Sequence, residues 1–423
     1  MRLKNPVTCL LVATIIATAT ALTAQTPAPR AAVASKAGLA SERVVRIDRA
    51  LQQYVDDNRI AGIVALVLRD GQPVYEHAVG WSDKEAGRKM TPDTIFRIAS
   101  QTKAITSTAI LSLVEEGKLT INDPVSRVIP QFAKTTVATA GSVVPAKRPI
   151  TIRDLLTHTA GISYGTEPVI ASQYEAKGLG PAAGFGWYTA DKDEPVCSTM
   201  ERLATLPFVA QPGEQWVYGY NTDILGCVVE RASGMPLDAF IKARITEPLR
   251  MTDTQFFLPA AQRDRLAAVY ASGDDGLLKR APDGPRGQGN YVDGPRRSFA
   301  GGAGLLSTVR DYGRFLEMIR RGGELDGVRI LAPRTVKLMN TNQVGTLHST
   351  TGLGFGLGFE TTDRYGANGM DSEGAFGWAG AYGTIYRIDP ESRLVMLMMI
   401  QLLPNATDIR TVFPTLVYQA LEK

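Results

Sequence analysis

Ser100 and Lys103 stand three residues apart in Ser100-Gln101-Thr102-Lys103, at the mouth of the run KAITSTAILSLVEEGKL. If a helix begins near Ser100, positions three apart share one face, so the lysine amine can lie beside the serine hydroxyl. That hydroxyl is a poor nucleophile until a base withdraws its proton, and a lysine held in a desolvated cleft can serve as the base. A helix start also offers unpaired backbone N–H groups and the positive end of the helix dipole, both suited to a developing oxyanion. The chemistry implied is acyl transfer. A solitary Ser-x-x-Lys also fits an N-cap followed by a solvated lysine, so the assignment depends on what else the chain supplies.

Two further elements follow in chain order. In QPGEQWVYGYNTDILGCVVERASG a Pro-Gly turn leads through Trp216 to Tyr218, and the pattern predicts a helix from about Thr222. A tyrosine with a cationic neighbour can act as a general base or pass protons along. In GAFGWAGAYGTIYRIDP, Trp378-Ala379-Gly380-Ala381 opens a strand-like run. Gly380 lets backbone approach a ligand closely, and the Ala381 N–H, with that of Ser100, would complete an oxyanion hole. Taken singly, the tyrosine also reads as core and the glycine as an ordinary turn. A competing motif, Gly161-Ile-Ser163-Tyr-Gly165, fits the Gly-x-Ser-x-Gly nucleophile elbow, which needs a strand before it and Asp and His after. Here RDLLTHTA precedes it as helix running into loop, and His348 is the only histidine downstream, so Ser163 reads as a loop residue near the cleft.

The scaffold that must hold these residues is legible in outline. SERVVRIDRALQQYVDDNR places Val44, Ile47, Leu51 and Tyr54 at helical steps behind a Ser41 N-cap. IVALVLRDGQPVYEHAVGW reads as two strands around an Asp70-Gly71 hairpin turn. At the other end GTIYRIDPESRLVMLMMIQLL repeats the pattern around Asp389-Pro390, and a helix from about Asp408 closes the chain. The fold class is α+β: an antiparallel sheet flanked by N- and C-terminal helices plus a mostly helical domain, with the site in the cleft between them. Residues 1–24 read as a signal peptide, 25–40 as a linker, 41–92 and 300–423 as the sheet domain, and 93–299 as the helical domain. Helical patterns in that block cover Lys103–Glu116, Ile150–Leu156, Met200–Leu206, Thr222–Ala232 and Leu237–Ile245, with Val309–Arg320 beyond it. Two loop-rich stretches, Gly161 to about Pro195 and about Ala271 to Gly301, exceed usual loop lengths and are candidates for lining the site.

Composition bounds the rest. The chain has 423 residues, 44% hydrophobic and 21% charged, enough to bury one large core or two joined ones. MRLKNPVTCLLVATIIATATALTAQ gives a basic start, an apolar run from Val7 to about Ala21 and small residues near Ala24. This predicts a secretory signal cleaved near Ala21 or Ala24, hence an exported protein, periplasmic or secreted, with no membrane span after cleavage. Loss of Arg2 and Lys4 would take the net charge from +4 to about +2, which disfavours nucleic acid as a partner. Cys197 and Cys227 would remain in an oxidising compartment, where they can pair or stay as buried thiols. His77, His158 and His348 fall in no zinc pattern, and no metal or cofactor is expected.

Together these stretches resemble the serine β-lactamase and penicillin-binding-protein superfamily, and within it family VIII carboxylesterases, the esterase relatives of class C β-lactamases. The resemblance spans nearly the whole chain, through TIFRIASQTKAITSTAILSLVEEGKLTINDPVSRVIPQF, ITIRDLLTHTAGI, LRMTDTQF and GGAGLLSTVRDYGRFLEMI. It implies Ser100 as nucleophile, Lys103 and Tyr218 as the proton-handling pair, the Ser100 and Ala381 amides as oxyanion hole, and Trp378, Ala379, Gly380 and Tyr220 as substrate-binding positions. The substrate implied is a small-molecule ester of short-to-medium acyl chain, with a β-lactam, a D-amino-acid peptide or a linear amide as alternatives. Two departures separate the chain from class C lactamases. Tyr220 stands where an asparagine is usual, with Asn221 one step out of register, and Trp378-Ala379-Gly380 replaces Lys-Thr-Gly, removing the cation that would hold a β-lactam carboxylate.

Overall fold

The computed structural model describes residue 1 and residues 38–179, 190–273, 277–285 and 287–422. The expected signal peptide and most of the linker lie outside the described residues. The linker's last residues are not free: Leu39 bridges Leu421, and the Ala40 amide donates to the Ala420 carbonyl at 2.8 Å.

Eight strands form one antiparallel sheet: β1 (Gly62–Arg69), β2 (Gln72–Asp83), β3 (Arg88–Lys89), β4 (Leu353–Phe355), β5 (Glu360–Thr362), β6 (Phe376–Ala379), β7 (Ile385–Asp389) and β8 (Leu394–Met399). Their order is β4-β5-β6-β7-β8-β1-β2-β3, so the N-terminal strands join the C-terminal meander through β1 against β8. Asp70 and Gly71 both take positive φ, 51° and 78°, as a two-residue hairpin turn of type I′ demands. Strand β1 is buried on both faces because side chains alternate. Ile63, Ala65 and Val67 meet the terminal helices α1 (Ser41–Asp56) and α8 (Ile409–Ala420). Val64, Leu66 and Leu68 join the larger core, which includes Tyr312, Phe315 and Leu316 of α7 (Val309–Arg320).

The helical part is centred on α2 (Thr102–Glu115), whose residues from Thr102 to Leu113 are all buried, so it has no solvent face. Around it lie α3 (Ile152–Leu156), α4 (Val196–Leu203), α5 (Asn221–Ser233) and α6 (Leu237–Ile241). Gly234, at φ 74°, caps α5 in the left-handed conformation. Cys197 of α4 and Cys227 of α5 are joined as a disulfide, which residue spacing had left open. Several details depart from the sequence reading, the first being that Ala40 and not Ser41 is the N-cap of α1. The 93–299 block holds a small sheet, Thr136–Thr139 against Ser142–Pro145, with Pro207–Phe208 added in parallel. The β-branched run turning at Gly141 (φ 89°) carried that signal. Helix α6 passes into a π-type turn over Lys242–Thr246 instead of continuing to Ile245. Finally, Ser100 lies in a 3₁₀ turn, Ala99–Gln101, that feeds α2.

Candidate active site

The serine is presented by a bent entry to α2. Ala99 has φ 44°, a left-handed conformation that costs a non-glycine residue about 1–2 kcal/mol, and strain of this kind concentrates at functional positions. Directly beyond the end of β6, Gly380 packs on this turn: a Cβ there would stand 2.5 Å from the Ile98 carbonyl oxygen. Only glycine allows that approach. It brings the following residue, Ala381, to the serine turn, and among the described residues the Ala381 amide makes no hydrogen bond. Gly383 closes the turn by donating to the Gly380 carbonyl at 3.1 Å.

Lys103 is 2% exposed, and its Nζ has three hydrogen-bond partners. Nζ donates to Ser100 Oγ at 3.2 Å, to the Tyr164 hydroxyl at 3.2 Å and to the Gly302 carbonyl at 2.7 Å. Gly302 is anchored in turn, since its N–H donates to Asp223 Oδ1 at 3.1 Å. The glycines let residues 301–304 thread between α2 and α5. A Cβ on Gly301 would meet the Thr222 carbonyl at 2.5 Å, and one on Gly302 would strike the Asp223 carboxylate. Burial pushes the Asp223 carboxyl above the usual carboxylate range, and the Lys103 charge and the Gly302 N–H pull against that rise.

Tyr218 comes to the same place. The Lys103 Nζ stands 4.7 Å from its ring centroid, and its hydroxyl accepts from the Trp378 indole N–H at 3.2 Å. The ring is wedged between His158, 4.7 Å away, and Trp216, stacked at 5.8 Å. Burial first, and the Lys103 charge second, push the His158 imidazole well below its ordinary value, so it is a neutral packing partner and not a base. Its Nδ1 accepts from Asn221 Nδ2 at 3.0 Å, which also donates to the Ile162 and Val217 carbonyls, so Asn221 braces this corner rather than facing substrate.

Tyr164 was not singled out by sequence reasoning. Its pentapeptide drew notice for its serine, yet Ser163 Oγ donates to Glu167 at 2.6 Å and accepts the Gly165 N–H at 3.0 Å, with no histidine on it. The neighbouring tyrosine is what reaches Lys103. The loop holding it is pressed against Gly219, where a Cβ would stand 2.5 Å from the Ser163 Cα, so Tyr164 and Tyr218 meet edge to face at 5.7 Å. Burial drives the Tyr164 hydroxyl well above its ordinary value, with Tyr218 and Asp223 adding to the rise; it is a neutral phenol.

Of the remaining positions, Ala379 ends β6 half-buried, and Trp378 is half-buried with its ring on Phe355 at 5.4 Å. Tyr220 packs edge-on against Tyr164 at 5.0 Å, but its hydroxyl is committed to the Leu179 carbonyl at 2.7 Å. His348 pairs with Glu360 at 3.0 Å and packs on Trp216, well apart from Ser163 in its bonding. Among the described residues no cluster of His, Cys, Asp or Glu could hold a metal ion, and no helix is long and apolar enough to cross a membrane.

A serine and a lysine of one helical entry, two tyrosines and a glycine-rich strand end thus meet on an α+β scaffold. Residues 47–415 match the model of the Beta-lactamase family, and the chain belongs to that family. It is 34% identical to Esterase EstB of Burkholderia gladioli over 376 residues, covering 85% of this chain and 91% of the relative. It is 32% identical to the Lovastatin esterase of Penicillium rubens over 388 residues, covering 84% and 92%. Among solved structures it resembles EstCE1, a hydrolase with promiscuous acyltransferase activity, with a TM-score of 0.76 and 27% identity over 90% of this chain and 98% of that one.

Proposed function

We propose that the protein is an exported serine carboxylesterase that cleaves esters of short-to-medium acyl chain through an acyl-enzyme on Ser100. The observation that carries this reading is the buried Lys103 amine 3.2 Å from Ser100 Oγ, in a chain whose relatives include EstB and a lovastatin esterase. Ser100 Oγ attacks the ester carbonyl carbon, and its proton passes to the Lys103–tyrosine cluster. The carbonyl oxygen, now an oxyanion, lies against the Ser100 and Ala381 amides. When the C–O bond to the alcohol breaks, the cluster returns the proton to the departing alkoxide. Water, deprotonated by the same groups, then attacks the acyl carbon and releases the acid and the serine. Tyr218, whose hydroxyl accepts from the Trp378 indole, is the member we assign to protonate the leaving alcohol.

The wall of the site supports an ester over a β-lactam. Trp216, Tyr218, Phe355 and Trp378 form contiguous ring contacts, an apolar surface with no lysine at the Trp378 position to hold a carboxylate. Residual β-lactam hydrolysis is expected to be weak. Export rests on the basic, apolar and small-residue order of the first 24 residues and on the Cys197–Cys227 disulfide, a bond that persists in oxidising compartments. The test is a panel of p-nitrophenyl butyrate, a chromogenic cephalosporin and short D- and L-peptides, run with the protein and with Ser100→Ala. The ester should turn over fastest and Ser100→Ala should abolish it. Near-normal ester hydrolysis by the variant would overturn the nucleophile, and faster cephalosporin or D-peptide cleavage would overturn the substrate.

A further inference from the structure

A second cavity, of about 560 Å³, opens beside α6 and shares no residue with the catalytic cluster. That volume lies within the range of small-molecule sites, roughly 300–1,000 Å³. Its floor is apolar and aromatic: Met251, Leu305 and the rings of Phe256 and Phe257 are buried, and Phe299 meets both rings edge to face, at 5.4 and 5.9 Å. The mouth is cationic on balance. Lys242, Arg250 and Arg296 face Asp238 and Glu247, and Lys242 is already engaged with Glu247 at 3.5 Å.

The two arginines remain, and both hold left-handed backbone, φ 55° each. Arg250 occupies the residue that closes the preceding helical turn, its N–H on the Glu247 carbonyl, where glycine or asparagine is the inexpensive choice. Asp326, a carboxylate that feels its charge, is bonded to Arg314 at 2.5 Å. Arg296 is fixed by two carbonyls, donating to Leu258 and Val292, and so presents a pre-set guanidinium.

We propose that this cavity binds an amphiphilic monocarboxylate, an acid with an aromatic or branched apolar body on the phenylalanine floor and its carboxylate on Arg250 and Arg296. Guanidinium pairs carboxylate through parallel N–H bonds, and a single negative charge matches the surplus at the mouth. The site stands without the esterase reading, which adds only that the enzyme itself releases such acids. It also adjoins the catalytic loop. Leu305 of the floor donates its N–H to Thr102 Oγ1 at 3.1 Å, between Ser100 and Lys103 in sequence, and the Phe256 ring packs where a Cβ on Gly304 would sit.

The probe is sodium 4-phenylbutyrate, titrated calorimetrically into the full chain after Ser100 has been closed with a fluorophosphonate. Saturable one-to-one binding is expected, weakened about tenfold or more by Arg250→Ala, partly restored by Arg250→Lys, and about tenfold weaker for neutral 4-phenylbutanol. No saturable binding, equal binding of the alcohol, or indifference to Arg250→Ala would overturn the proposal, as would loss of binding on phosphonylation, which would place the acid in the active site. Arg296 is left intact because its loss would free two backbone carbonyls. Failure of the fluorophosphonate to label Ser100 would count against the esterase reading alone, since the Arg250 comparison can still be made on unlabelled protein.

Discussion

Asp223 touches no substrate, yet its charge should be visible in the rate. The Lys103 ammonium reaches the Gly302 carbonyl at 2.7 Å, and the Gly302 N–H reaches the carboxylate at 3.1 Å. With about 3 Å across the glycine backbone, the two charges are at most about 9 Å apart. At an effective dielectric constant near 20 the attraction is about 2 kcal/mol. In the proposed reaction positive charge is needed on the lysine as it takes up the serine proton, so Asp223→Asn should lower kcat/KM by about 25-fold or more. Asparagine keeps an oxygen for the Gly302 N–H, so the loop is retained. Stability should move the opposite way. Burial raises the Asp223 carboxyl in the folded state, so the parent matches the variant below the ordinary aspartate range and falls behind as pH rises through the raised value. The assay is p-nitrophenyl butyrate hydrolysis from pH 5 to 10 beside urea denaturation at pH 4 and 8. A variant whose kcat/KM matches the parent's refutes the electrostatic role.

Tyr218→Phe should lose about 100-fold or more in kcat, the usual scale for a group that moves the proton. Tyr164→Phe removes one neutral hydrogen bond from Lys103 and should cost about tenfold, so single-turnover rates of the two variants separate a proton carrier from a partner that orients the amine. Asp311, buried at the first turn of α7 where it accepts the Asp253 N–H at 2.7 Å, has its carboxyl pushed by burial to about 6. Its folded state therefore holds a proton more tightly than the unfolded chain, and the stability this gives below about pH 3.8 is lost as pH rises through about 6. Asp311→Asn should accordingly exceed the parent by about 3 kcal/mol at pH 8 and match it below about pH 4 in urea melts. Cys197→Ala with Cys227→Ala opens a closure spanning 30 residues of sequence and should cost about 3–4 kcal/mol in the same measurement.

The sequence announced side chains better than it announced the backbone that gathers them. Ser100 and Lys103 were legible because helical spacing alone puts positions three apart together, and the structure shows the bond. The α+β architecture followed from the continuous strand-like apolar run of β1 and from the Asp70-Gly71 turn. Tyr164 was illegible because its position depends on Gly219 pressing two loops together, a contact between segments about fifty residues apart with no local periodicity. The hairpin at Thr136–Pro145 was read through by a helical block, although its β-branched residues favoured strand. Pairing of Cys197 with Cys227 follows from the packing of α4 on α5, which spacing does not encode.

Three glycines explain why chemistry can occur here. Gly380 lets the end of β6 rest on the serine turn, Gly302 lets a loop pass between α2 and α5 to receive the lysine, and Gly219 seats the tyrosine segment on the Tyr164 loop. Each stands where any Cβ would collide with backbone or a carboxylate, so each fixes a distance that no side chain could tune. Because the approaches are made by backbone, the proposed catalytic side chains of the helical part are held against the end of β6. Trp378 has two parts in the proposed reaction: its ring would be wall for an apolar acyl group, while its N–H donates to the Tyr218 hydroxyl. A lysine at position 378 could bind an anionic substrate but could not supply that wall. The same substitution that would favour β-lactams would thus strip the apolar surface proposed to hold the ester, so in this reading substrate preference and tyrosine alignment are tied to one residue.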